Sequence, residues 1–184
     1  MFLHFYYYQN ILHGVEIMYD ELTEVDIKKM KEELDYRRLE LMPEQIEEVQ
    51  RTRAFGDLSE NAEYKAAKQE LNRNKGRIRY LTNMIKTAKV IETKSNSDTV
   101  GLYDKVTVYM MEDEEEQVIQ VVTTVRTDPR QGLISKESPF GKAVLGKKTG
   151  DIVKIIVSDD YSYKCEIRNI EKGVDDGTAP LMQY

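Results

Sequence analysis

Gly56-Asp57-Leu58-Ser59-Glu60-Asn61-Ala62-Glu63-Tyr64 lies between two helical patterns and decides how the first half of the chain folds. Gly56 supplies the left-handed conformation that often ends a helix, and Asp57 followed by Glu60 has the spacing of a capping box that opens the next one. Downstream, Tyr64, Ala67, Leu71, Ile78, Leu81, Ile85 and Ala88 repeat at spacings of three, four and seven, a coiled-coil stripe. Asn74 falls on the same stripe, where a single polar residue fixes register. Upstream, Ile27, Met30, Leu34 and Leu41 make a matching stripe that changes phase to Ile46 and Val49. Pro43 lies between the two phases and predicts a kink, because its ring nitrogen cannot donate to the carbonyl four residues earlier.

Two helices joined at Phe55 to Ser59 form an antiparallel hairpin over residues 18–92. About 30 residues per arm at 1.5 Å each give a length of roughly 45 Å, so the tip projects beyond any small domain at its base. Two readings of the tip carboxylates stand side by side. Helix N-termini favour acidic residues, which makes Asp57 and Glu60 caps. A tip remote from the core also suits them to act as working groups. As metal ligands they form a partial shell, since Mg²⁺ takes about six oxygens in near-octahedral array. The remaining ligands would then come from water, substrate phosphates or another protein's active site, which amounts to catalysis in trans.

Charge divides along the hairpin. Residues 51–89 carry 10 Lys or Arg against 4 Asp or Glu, whereas residues 18–50 carry 5 against 11. On the distal half, Arg51, Arg53, Lys65, Lys68, Arg73, Lys75, Arg77 and Arg79 could follow a phosphate backbone, with Phe55 and Tyr64 available to stack. The competing reading is the solvated, charge-alternating surface of an ordinary coiled coil. The whole-chain net charge of −6 therefore identifies no partner.

Composition narrows the classes. The chain has 184 residues, of which 33% are charged and 40% hydrophobic, as expected of a soluble protein of one or two small domains. A single cysteine, Cys165, excludes an intrachain disulfide and a multi-cysteine metal site, and favours a cytoplasmic setting. Both histidines, His4 and His13, fall within residues 1–17, which argues against a Ser-His-Asp or Cys-His centre. That segment, MFLHFYYYQNILHGVEI, has neither the basic start of a signal peptide nor the length of a membrane span. It reads as an atypical extension ahead of Met18.

After a polar hinge at residues 93–98 the period changes to that of strands. Residues 100–111, 117–126, 152–157 and 161–170 are rich in Val, Ile, Tyr and Thr. Cys165 alternates with Tyr161, Tyr163 and Ile167 and reads as a small buried hydrophobe. Ser138 and Pro139 suit an N-cap and first helical position and Gly146 a C-terminal cap, giving one short helix on an otherwise antiparallel sheet over residues 99–172. Residues 173–184 read as a frayed tail. The fold class is α+β.

The motif around the tip, with Arg53 before it and Ala66-Ala67-Lys68 after it, resembles the bacterial Gre transcript-cleavage factors. The likeness continues through Arg77-Ile78 and Ala88-Lys89-Val90-Ile91. It resumes in Ile134-Ser135, Ser138-Pro139, Gly141-Lys142-Ala143, Leu145-Gly146-Lys147 and Gly150-Asp151. Leu58 and Glu63-Tyr64-Lys65-Ala66-Ala67-Lys68 look more like the GreA branch, although Arg79-Tyr80-Leu81-Thr82 is closer to GreB. The resemblance implies a monomeric transcription elongation factor whose coiled coil enters the secondary channel of bacterial RNA polymerase. By that resemblance Asp57 and Glu60 assist the polymerase's second catalytic Mg²⁺, with no cofactor held stably by the factor alone, and the polymerase cleaves its own backtracked RNA. Ser59 and Asn61 are tip neighbours. Arg53, Lys68, Arg73 and Lys75 fall in or near a basic patch facing the nascent RNA 3′ end, and an FKBP-like C-terminal domain, with Ser138 and Pro139, docks at the channel entrance.

Three stretches depart from the family pattern, among them the segment ahead of Met18. Val122-Thr123-Thr124-Val125-Arg126-Thr127-Asp128-Pro129 stands where relatives usually carry an Ile-Val-Gly strand followed by Glu-Ala-Asp, and the tail after Lys172 departs as well; neither the early segment nor the tail is assigned a role. The intact tip favours a cleavage stimulator. A channel-binding regulator without cleavage activity is the alternative, and an independent prolyl isomerase rests only on analogy of fold.

Overall fold

Thr23 begins the helical part. Its hydroxyl accepts from the Asp26 backbone N–H at 3.1 Å, while the Asp26 carboxylate accepts from the Thr23 N–H at 3.0 Å, a complete capping box. The computed structural model describes residues 20–54, 61–93 and 98–182. The expected extension 1–17, the tip turn with Asp57, Ser59 and Glu60, and residues 94–97 of the expected hinge lie outside the described residues.

Helix α1 (Glu24–Tyr36) runs through a π-helical turn, Arg37–Leu41, into α2 (Met42–Arg53). The Met42 N–H reaches the carbonyl of Arg37, a five-residue step instead of four. Pro43 follows directly, in the first turn of α2. In a regular helix its ring would press on the Leu39 carbonyl; the wide turn inserts one residue there and accounts for the phase change in the apolar stripe. Helix α3 (Ala62–Thr87) returns along both segments over about 39 Å. The hairpin base is closed by two short parallel strands, β1 (Glu21–Leu22) and β2 (Lys89–Val90). Helix therefore covers less of the span from Asp20 to Glu92 than its pattern predicts, because the Thr23 cap begins it and extended backbone takes both ends.

Leu71, Asn74 and Leu81 of the stripe are buried, and Leu22, Met30, Leu34 and Leu81 form the core at the base. Asn74 accepts from Arg37 Nη1 at 3.0 Å and donates to the Arg37 carbonyl at 3.4 Å. It thereby grips the first residue of the π turn, a register device in the sense its position implies. Beside it, Glu33 takes two bonds from Arg77, at 2.9 and 2.8 Å, and one from Arg37 at 2.7 Å. Arg77 thus serves the seam between the helices and is not part of the outward basic surface expected of it.

The second half is a five-stranded sheet of β3 (Lys105–Met110), β4 (Glu115–Val122), β5 (Leu133–Ser135), β6 (Ile152–Ile156) and β7 (Ser162–Glu171), in the order β5-β4-β3-β7-β6. Helix α4 (Pro139–Val144) covers a core of Val106, Val108, Ile119, Val121, Ile155, Cys165 and Ile167. Ser138 is its N-cap, Pro139 its first residue, and Gly146 follows its end with φ +74°. Burial pushes the Cys165 thiol up to about 11, which suits an inert core residue.

Three expectations need correcting. The sheet is not antiparallel throughout, since β5 runs parallel to β4. The strand expected over 117–126 stops at Val122, and the chain crosses through two 3₁₀ turns, Thr124–Arg126 and Pro129–Gln131, before β5. Nor does the tail fray within its described part. The Met182 N–H bonds the Val125 carbonyl at 2.8 Å, Lys29 Nζ donates to the Ala179 carbonyl at 3.2 Å, and Leu181 packs into the hairpin-base core. No helix among the described residues is long and apolar enough to cross a membrane.

Glu33 makes the seam sensitive to acid. Burial raises its pKa, but the bonds from Arg77 and Arg37 outweigh burial and hold the carboxyl below the ordinary glutamate range. A depressed folded pKa supplies stability above the unfolded value and loses it as pH falls through the folded one. Glu33→Gln is expected to cost about 2 kcal/mol at pH 7. The deficit should shrink as pH drops below about 4.3. Urea unfolding of both proteins across that range checks this; a deficit that does not change with pH would contradict the assignment.

Candidate functional site

The end of the hairpin is held by a polar clasp. Asn61 is the N-cap of α3: its side-chain oxygen accepts from the Tyr64 backbone N–H at 2.9 Å. The amide nitrogen of the same side chain crosses to the other arm and donates to the Thr52 carbonyl at 2.8 Å. Thr52 is fully buried, its hydroxyl donating back to the Glu48 carbonyl at 2.9 Å. One side chain therefore starts α3 and ties it to the end of α2.

This changes the reading of Asp57 and Glu60. The sequence offered them as the capping box of the second helix, but α3 begins at Ala62 and its N-cap residue is Asn61. The Asn61 amide, unlike a carboxylate, can accept from the Tyr64 N–H and donate to the Thr52 carbonyl at once. Asp57, Ser59 and Glu60 lie outside the described residues. Among the described residues no three His, Cys, Asp or Glu side chains gather where a metal could sit.

The basic flank resolves into two parts. Lys65, Lys68, Gln69, Asn72 and Arg73 line one open groove on α3. Lys68 Nζ stands 5.8 Å from the Tyr64 ring centre, and Arg73 pairs with Glu70 at 2.6 Å. Lys75 is exposed seven residues beyond Lys68, about 20° from it round the helix, and continues the Lys68 side of that surface. Arg53 is exposed at the last turn of α2. Arg51 forms a two-bond pair with Glu48 at 2.8 and 2.6 Å, an interaction within its own helix.

In the sheet domain the Ser138 hydroxyl is occupied locally. It accepts from the Gly141 N–H at 3.0 Å and donates to the Ser135 carbonyl at 2.7 Å, leaving exposed Pro139 as the surface feature of that pair. A Cβ at Gly141 would meet the Ser135 carbonyl oxygen at 2.1 Å, so this turn admits only glycine.

Sequence reasoning named Asn61 as a neighbour without a role and passed over Thr52. A threonine on the seam three residues before Phe55 was the available signal. Asn61→Ala should cost about 1–2 kcal/mol by loss of the cap. Hydrogen exchange at the Tyr64 amide should accelerate more than at mid-helix positions. Asn61→Asp, which keeps the acceptor and loses the donor, should protect Tyr64 but loosen the contact with Thr52. Equal exchange in wild type and Asn61→Ala would contradict the clasp.

Comparison with known proteins follows the same two-part division. Residues 21–90 match the family model described as transcription elongation factor, N-terminal (GreA and GreB), and residues 94–172 the corresponding C-terminal model. The chain is 44% identical over 135 residues to transcription elongation factor GreA of Bacillus licheniformis, covering 73% of this chain and 85% of that one. It is 42% identical over 152 residues to GreA of Acetivibrio thermocellus, covering 82% and 95%. Among solved structures, GreA factor homolog 1 of Thermus thermophilus is 25% identical over 83% of this chain and 99% of its own, with a TM-score of 0.38. The two family models between them span the hairpin and the sheet, and the chain belongs to the GreA/GreB family of transcription elongation factors, on its GreA-like side.

Proposed function

We propose that this chain is an accessory factor of bacterial RNA polymerase, not an enzyme in itself, and that it stimulates the polymerase to cleave backtracked nascent RNA. It does so as a monomer in the cytoplasm, with the hairpin in the secondary channel and the sheet domain at its entrance. The observation that carries the reading is the Asn61 clasp: α3 takes its N-cap from Asn61, so that position is filled by neither Asp57 nor Glu60. Two carboxylates at the end of an arm about 39 Å long reach a partner's buried centre and contribute little to their own fold.

The donor set fits a hard cation incompletely, which suits a Mg²⁺ ion already held by the polymerase. Bound there, that ion would supply Lewis-acid stabilisation and a more acidic water. Asp57 and Glu60 would add oxygen ligands and hold a water in line with the scissile phosphate. Lys68 and Arg73, which line one groove, and Lys75, one heptad beyond Lys68, would attract the extruded RNA 3′ end, with Arg53 on the opposite arm.

Asp57→Asn with Glu60→Asn should reduce factor-dependent cleavage in a backtracked complex by at least about 100-fold. Binding to the polymerase, measured by competition, should stay within a few-fold. Binding by the unmutated chain with no cleavage would replace this reading with that of a channel-occupying regulator.

A further inference from the structure

Arg126 is 1% exposed, and its guanidinium meets carboxylates from two other parts of the chain. Nε donates to Asp26 of α1 at 2.5 Å, and Nη1 pairs with Asp175 of the C-terminal segment at 2.9 Å. Asp26 is fully buried and also holds the Thr23 cap, while Asp175 accepts from the Thr23 hydroxyl. The guanidinium lies over the Tyr103 ring at 5.6 Å. Around this cluster residues 173–182 run from the sheet domain back onto the hairpin. The Gly173 N–H donates to Asp104 at 3.0 Å at one end, and Leu181 enters the base core beside Val125 at the other.

Arg126 and Asp175 sit in two of the three stretches that depart from the family pattern. The C-terminal family match ends at residue 172, so the segment carrying Asp175 lies wholly beyond it. Each departure is unexplained alone. Together they supply the cation and one of the anions of a single buried cluster, and the hairpin supplies the other.

We propose that Arg126 and Asp175 are positioning residues for the tip: with Asp26 they fasten the C-terminal segment across the junction and fix the direction in which the hairpin leaves the sheet domain. The proposal rests on the cleavage reading given above. A rotation of about 5° at the base of an arm about 39 Å long moves its end by about 3 Å. Catalytic groups must be held to about 0.5 Å, so the angle at the base matters as much as the residues at the tip. The apolar contacts of Leu22, Met30, Leu34 and Val125 are non-directional and would tolerate such a rotation, whereas a guanidinium between two carboxylates would not.

The test uses the full chain with Cys165→Ala and spin labels at Glu47→Cys, on α2, and Lys154→Cys, on β6, both exposed positions. Pulsed dipolar spectroscopy should give one narrow distance distribution. Asp175→Asn, and separately a chain ending at Lys172, should broaden or shift it with helix content unchanged, and Asp175→Glu should restore much of it. In the unlabelled proteins the same two variants should lower cleavage at saturating factor by about 100-fold, with a much smaller change in the half-saturating concentration. A distribution unaltered in both variants overturns the proposal, whatever happens to the melting temperature. A broadened distribution with undiminished cleavage overturns it as well. Failure of the unmutated chain to cleave would count against the cleavage reading alone, and the distances would still decide whether the segment fastens the hairpin.

Discussion

A guanidinium almost wholly removed from water must be neutralised where it stands, and Arg126 is neutralised by Asp26 and Asp175. Breaking a buried pair by removing one partner costs about 3–5 kcal/mol, because the other charge is left uncompensated. The three segments that meet there, the start of α1, the crossover between β4 and β5, and the chain after β7, are therefore held as a unit. Val125, the residue before Arg126, belongs to the apolar core of the hairpin base, so hairpin and sheet domain share packing as well as charge.

Polar groups recur along the hairpin at the points where position has to be specified. Arg126 acts at the base, Asn74 and the Glu33, Arg37 and Arg77 group in the middle, and Asn61 with Thr52 near the tip. Between them the seam is apolar and would allow sliding or rotation at little cost. Each polar contact removes one such freedom: direction at the base, register at the π turn, and separation of the arms at the far end. A long hairpin built only on its apolar stripe would be stable without aiming at anything.

Much of this was legible in sequence. The stripe through Leu71 and Leu81 gave the hairpin, Pro43 and the phase change gave the break in its first arm, and Ser138-Pro139 gave the short helix. These are local signals, carried by spacing within a few turns. The Arg126 cluster was not legible, since its partners lie 100 and 49 residues away and nothing in a period or a cap announces a pairing at that range. The tail was misread for the same reason: a polar, glycine-bearing end looks loose until Asp175 and Leu181 find their places. At the tip the sequence suggested the Asp57 and Glu60 spacing as the cap, whereas α3 is capped by Asn61, whose amide also reaches the Thr52 carbonyl of the opposite arm. β5 was missed because three residues carry too little alternation to read.

The central claim, that Asp57 and Glu60 complete a metal centre belonging to the polymerase, is tested most directly by the Mg²⁺ dependence of cleavage in a backtracked complex. Rates would be followed across Mg²⁺ concentration without factor, with the chain, and with Asp57→Asn at saturating factor. Added carboxylate ligands should lower the Mg²⁺ concentration needed for half-maximal rate, and Asp57→Asn should raise it again towards the factor-free value. A Mg²⁺ requirement identical in all three conditions, with the chain bound, would contradict the account.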